Sequence, residues 1–120
     1  MADNMAQRVF TTIDAMDLDS IAGFFAEDGR VVFGNGDPLV GREAIAGGVQ
    51  GFFSTIKGLR HRIVNQWSVG AETVAETEVT YYRLDGNSVA IPAVSIWHTR
   101  PDGLIDDYRV YFDLAPVYAL

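Results

Sequence analysis

Apolar residues recur at helical spacing near the start of the chain, at Met5, Val9, Ile13 and Met16, with Ala6 and Phe10 beside them. That spacing puts them on one face, so residues 4 to 16 read as an amphipathic helix. The segment Asp17 to Ser20 interrupts it, and Asp19 or Ser20 can cap a second short helix carrying Ile21, Ala22, Phe24 and Phe25 and ending at Asp28-Gly29. Arg30 to Phe33 reads as a short strand. Gly34-Asn35-Gly36-Asp37-Pro38 has the composition of a loop; it lacks the lysine of a phosphate-binding loop. After Gly41 a third helix carries Ile45, Val49, Phe52, Phe53 and Ile56, with Glu43 in its first turn and Lys57-Gly58 at its end. Its interior glycines, Gly47, Gly48 and Gly51, either weaken it or permit close packing.

From residue 60 the period changes to two. β-Branched and aromatic residues fill four runs, about 60 to 69, 72 to 84, 88 to 99 and 104 to 113, separated by Gly70-Ala71, Asp85-Gly86-Asn87 and Pro101-Asp102-Gly103. Links of that length make hairpins, so the runs predict an antiparallel meander preceded by three helices, an α+β architecture. At 120 residues the chain has room for one domain, expected to span 1 to 120.

Charge narrows the partners. Sixteen acidic residues against nine basic ones give a net charge of -7, which repels phosphate backbones and anionic membranes, so neither nucleic acid nor a membrane is expected as partner. The opening residues lack a signal-peptide pattern and no window is long and apolar enough to span a bilayer, which reads as a cytoplasmic protein. There is no cysteine, and His61 and His98 lie far apart, so no metal is expected; the chemistry considered below calls for no cofactor.

Three stretches, DLDSIAGFFAEDGRVVF, the VGREAI that follows, and DGLIDDYRVYFDLAP, resemble the SnoaL-like group of the nuclear transport factor 2-like superfamily, which includes polyketide cyclases, ketosteroid isomerases and limonene epoxide hydrolases. The resemblance spans roughly residues 4 to 115. It implies a cone-shaped, cystatin-like fold in which N-terminal helices pack on a curved, mainly antiparallel sheet and enclose a pocket. It also implies a homodimer through the outer sheet face. On that template Glu76, Glu78, Thr80 and Tyr82 point inward from one strand, Ala93, Ser95 and Trp97 from the next, and Tyr108, Val110 and Phe112 from the last. Period-two alternation independently puts each set on one face.

The catalytic sets of the familiar relatives do not carry over. The isomerase's oxyanion-hole tyrosine falls on Val9, its base on or next to Phe33, and its second acidic donor on Ser95. The epoxide hydrolase's water-holding residues fall on Val31, Phe33 and Val110, which cannot orient a water. Its arginine falls on Glu76, and only its proton-donating aspartate keeps an acidic residue, Glu78.

The remaining candidates for chemistry are Glu78 and Glu76, two apart on a strand, where burial of paired carboxylates raises a pKa toward neutrality. His61, expected at the pocket mouth, is a candidate proton-transfer partner. The alternative is that the acidic pair is a solvated strand face and His61 a structural residue. Phe10, Phe33, Thr80, Tyr82, Ser95, Trp97, Tyr108, Val110 and Phe112 are candidate ligand-binding residues, the aromatic ones also readable as plain core. Arg109, Tyr111 and Asp113 share the opposite face, as a dimer interface or as solvated charge. Two functions follow. One is cofactor-free proton-transfer chemistry (cyclase, isomerase, dehydratase or hydrolase) on a small apolar organic molecule. The other is a non-catalytic ligand-binding or dimeric interaction module.

Overall fold

The periodicities translate into six strands and four helices among residues 4–120, the part of the chain described by the computed structural model. Helix α1 (Met5–Asp14) opens at Asn4, whose side chain accepts the Gln7 backbone N–H. It buries Ala6, Val9 and Phe10. Helix α2 (Leu18–Gly23) is capped by Asp17 rather than by Asp19 or Ser20, its carboxylate accepting the Ser20 N–H at 3.2 Å.

Strand β1 (Phe25–Phe33) begins where the sequence pattern expected helix. Phe25 pairs with Ile105 and the register then slips before Arg30. Gly29 sits at this slip, where a Cβ would meet the carbonyl oxygens of Ala26 at 3.0 Å and Ile105 at 3.1 Å. Burial of Phe25 and Ala26 outweighs their helical spacing, and six residues are few to sustain an independent helix. A two-residue strand, β2 (Leu39–Val40), pairs with β1 and leads into α3 (Arg42–Phe53). Helix α3 ends at Phe53 rather than at Lys57; Ile56 lies beyond it and is still buried.

The meander follows as expected: β3 (Gly58–Val69), β4 (Glu72–Tyr82), β5 (Ser88–Thr99) and β6 (Ile105–Phe112), each antiparallel to the next. Strand β1 docks parallel to β6, giving the order β2-β1-β6-β5-β4-β3. The ladders slip at Ile63/Asn65 and His98/Thr99 as well as near Gly29. An unpaired extra residue bends a strand and increases its twist, and these bulges accompany the sheet's curvature. The bulge at Val64 also exchanges faces along β3, so that His61 points inward while Trp67 points outward.

A short helix that the pattern did not predict, α4 (Ala115–Tyr118), closes the chain. Arg83 holds it by donating to the carbonyls of Pro116 at 3.1 Å and Val117 at 2.9 Å. The core lies between α1, α3 and the inner sheet face, around Phe10, Ile45, Val79, Trp97 and Ile105. No helix among the described residues is long and apolar enough to cross a membrane.

Candidate functional site

Helices covering a curved sheet leave a space where side chains from both layers fail to meet. Here it is a cavity of about 70 Å³. Its helix side is apolar: Val9 and Ile13 from α1, Ile21 from α2, and Ile45, Val49, Phe52 and Phe53 from α3. Val31 and Phe33 of β1 and Val110 and Phe112 of β6 continue that surface.

Three polar groups break it. The first is the partly exposed pair of His61 and Asp14. Asp14, in the last turn of α1, places Oδ1 2.6 Å from His61 Nδ1, and its Oδ2 accepts the His61 backbone N–H at 2.9 Å. A carboxylate near a helix C-terminus faces the unfavourable end of the dipole, and these two bonds offset that cost. The Phe10 ring lies 4.6 Å from the imidazole, nearly parallel to it. Carboxylate and ring thus fix the imidazole plane. An ionised carboxylate only accepts, so Nδ1 carries the proton. Nε2 has no hydrogen-bond partner among the described residues, and the His61 side chain, 11% exposed, lines the cavity.

The second is Tyr81, 2% exposed and also lining the cavity, whose hydroxyl has no partner among the described residues. Leu59 faces Tyr81 and His61 faces Val79 across β3 and β4, so Tyr81 and His61 are diagonal neighbours on the inner face. Burial, followed by the negative fields of Tyr108, Tyr118 and Asp14, raises the Tyr81 pKa well above its ordinary value. The third is a buried pair in which the Tyr108 hydroxyl donates to Ser95 Oγ at 2.9 Å. Burial pushes Tyr108 up to about 12, partly countered by that bond. Both tyrosines therefore stay protonated at ordinary pH.

The two glutamates lie elsewhere. Ala75, Thr77, Val79 and Tyr81 are buried on the inner face of β4, which puts Glu76, Glu78, Thr80 and Tyr82 on the outer one. Glu78, 49% exposed, lies 3.5 Å from Arg62, and Glu76 accepts from Asn65 at 2.8 Å. The reason is energetic: desolvating two carboxylates costs far more than desolvating alanine, threonine, valine and tyrosine, so the less polar set turns inward. Ser95, Tyr108, Val110, Phe112 and Phe33 do line the cavity. Phe10 and Trp97 back it instead: Trp97 is fully buried, stacks on Tyr108 at 5.4 Å, and meets Phe10 edge-on. His98 is on the outer face, 2.7 Å from Asp106.

Sequence reasoning missed Asp14 and Tyr81. An acidic residue one helical turn beyond Phe10, at the wrong end of a helix dipole, was the available signal for Asp14. Among the described residues no cluster of histidine, aspartate and glutamate is arranged to hold a metal ion.

A curved sheet wrapped by N-terminal helices around an internal cavity is the nuclear transport factor 2-like fold, and solved structures agree. A protein with a ketosteroid isomerase-like fold from Catenulispora acidiphila, solved in complex with trimethylamine, superposes with a TM-score of 0.87 at 19% identity, covering 98% of this chain and 91% of its own. A protein from Jannaschia named as a SnoaL-like polyketide cyclase gives 0.81 at 20% identity, with 93% and 85% covered. An M. tuberculosis protein named as an LEH-like epoxide hydrolase gives 0.77 at 16% identity, with 94% and 83% covered. Within that fold, residues 6–108 match the SnoaL-like domain, and the chain belongs to that family. No curated protein sequence matches the chain significantly.

Proposed function

We propose that the protein binds a small, largely apolar organic molecule inside the cone and moves a proton on it, with His61 as the base and then the acid. The observation that carries this is the Asp14–His61 pair, whose imidazole lines a largely apolar cavity. With Nδ1–H committed to Asp14, the Nε2 lone pair takes a proton from a ligand C–H or O–H. Asp14 stabilises the imidazolium that forms, and Nε2 returns the proton to another atom of the ligand. Charge developing on a ligand oxygen accepts a hydrogen bond from Tyr81, whose neutral hydroxyl is otherwise unengaged. Isomerisation, dehydration and cyclisation all consist of such a proton transfer, and family membership supports chemistry of this kind.

A purely binding role is the alternative, favoured by the long runs of apolar lining. One experiment separates them: exchange of the α-protons of 2-tetralone in D2O, followed by NMR. Base catalysis by His61 predicts exchange faster than in buffer, falling on the order of 100-fold or more in His61→Ala. Binding of the ketone with no acceleration in either protein leaves only the binding role.

The same reading extends to assembly. Trp67 and Tyr111, each 51% exposed, share the outer sheet face with Arg62, Glu76, Glu78 and Arg109. A second copy is the occupant this face suits, because a two-fold apposition can set its basic residues against its acidic ones around an aromatic centre.

A further inference from the structure

Helix α3 carries four cavity-lining residues yet contains three glycines in twelve positions. The glycines differ in what surrounds them. A Cβ on Gly48 would collide with Leu39 Cδ1, so that position is small because β2 packs against it. A Cβ on Gly47 or Gly51 would meet nothing within 4 Å, and neither residue has a positive φ. Neither packing nor backbone conformation requires them. What remains is their effect on the helix: glycine lowers the local helical equilibrium about fivefold relative to alanine, roughly 1 kcal/mol at each site.

The weakened stretch is part of the cavity wall. Phe52 follows Gly51 directly, and its ring sits 6.3 Å from Phe33 on β1 and 5.9 Å from Tyr81 on β4, spanning the space between the two strands. Just beyond the helix, Thr55 gives its own proton to the Phe52 carbonyl at 2.6 Å. Its Oγ1 therefore accepts from the Tyr118 hydroxyl of α4, at 2.8 Å. That bond ties the end of α3 to the C-terminal helix, which Arg83 in turn holds to the sheet. Phe52 and Phe53 both line the cavity, so displacing this stretch would open its wall.

We propose that the second half of α3, from Gly47 to Phe53, is the gate of the cavity, loosening at its two unconstrained glycines to admit a ligand, with the Thr55–Tyr118 bond as its latch. The inference rests on the cavity as a ligand site and is independent of proton transfer at His61. A gate that closes again over the bound ligand changes entry and exit rates together and leaves affinity nearly unchanged.

The test uses 2-naphthol as probe and Trp97 fluorescence as reporter, in a Trp67→Phe background, with stopped-flow uptake and amide hydrogen exchange measured in parallel. The double variant Gly47→Ala/Gly51→Ala should slow exchange of the amides from Val49 to Phe53. It should also lower the uptake and release rates by about 25-fold, the product of two fivefold effects. Tyr118→Phe should raise both rates severalfold. Uptake unchanged in both variants overturns the gate, as does unaltered amide exchange in α3. If 2-naphthol binds to neither wild type nor variants, the reading of the cavity as a ligand site fails first, an outcome distinct from binding at an unaltered rate.

Discussion

Asp14 reaches across from α1 to β3 and holds His61 twice, through the ring at 2.6 Å and through the backbone N–H at 2.9 Å. One carboxylate thus sets both the position of the strand and the tautomer of the imidazole. Nitrogen-15 NMR should find the proton on Nδ1 and a bare Nε2 in the wild type. Asp14→Asn should populate the opposite tautomer, because its amide can donate to Nδ1. Asp14→Ala leaves the part-buried N–H and ring nitrogen unpartnered, and should cost about 1–3 kcal/mol in urea denaturation.

The two raised tyrosines give stability a high-pH limit. Tyr108 rises from 10.0 to about 12 in the folded state, and Tyr81 rises in the same direction, both chiefly through burial. Between pH 10 and 12 the folded chain therefore holds a proton on Tyr108 that the unfolded chain has released. Stability falls as pH rises whenever the native state binds more protons. The contribution is fully present below about pH 10 and is lost as pH rises through the folded value. Denaturation free energies measured from pH 8 to 12 should decline above pH 10, with a shallower slope in Tyr108→Phe.

Glu76 and Glu78 should be nearly silent. Both lie on the outer face, and Glu78 makes only an exposed pair with Arg62. Glu78→Gln and Glu76→Gln should change stability by no more than about 0.5 kcal/mol. Proton exchange on 2-tetralone should stay at the wild-type rate. Loss of exchange in Glu78→Gln would return the acidic pair to the site.

The contrast between these glutamates and Asp14 shows what the sequence made legible. Alternation placed β6 correctly because Tyr108, Val110 and Phe112 alternate with the more polar Asp107, Arg109 and Tyr111, whereas Ser95 of β5 sits between Val94 and Ile96 and owed its placement to the family template. Along β4 alignment to relatives set the parity against the cost of burying two carboxylates, and it decided wrongly, because Ala75, Thr77, Val79 and Tyr81 are the inward set. Bulges compound the difficulty, since the extra residue at Val64 reverses which β3 side chains face inward and leaves no mark in the spacing. The Asp14–His61 pair joins residues 47 positions apart, a contact that only the packing of α1 on β3 creates. The boundary between α2 and β1 was lost for a related reason: Phe24 and Phe25 fit helical spacing, yet Phe25 pairs in the sheet.

If two copies meet through the outer sheet face, Trp67→Glu combined with Tyr111→Glu should leave the fold intact and convert the sedimentation coefficient to that of a monomer. Both side chains are half exposed in the single chain, so neither substitution empties the core. A wild type that already sediments as a monomer at micromolar concentration would remove the homodimer reading.

The most direct measurement is an NMR titration of the labelled protein with 2-tetralone, following valine and isoleucine methyls together with the His61 ring nitrogens. A ligand held in the cone beside the Asp14–His61 pair should shift Val9, Val31, Val49, Val110 and His61 Nε2. Val74, Val94 and Ile96 on the outer face should stay unmoved. Shifts confined to those outer residues, with His61 and the cavity methyls unchanged, would contradict it.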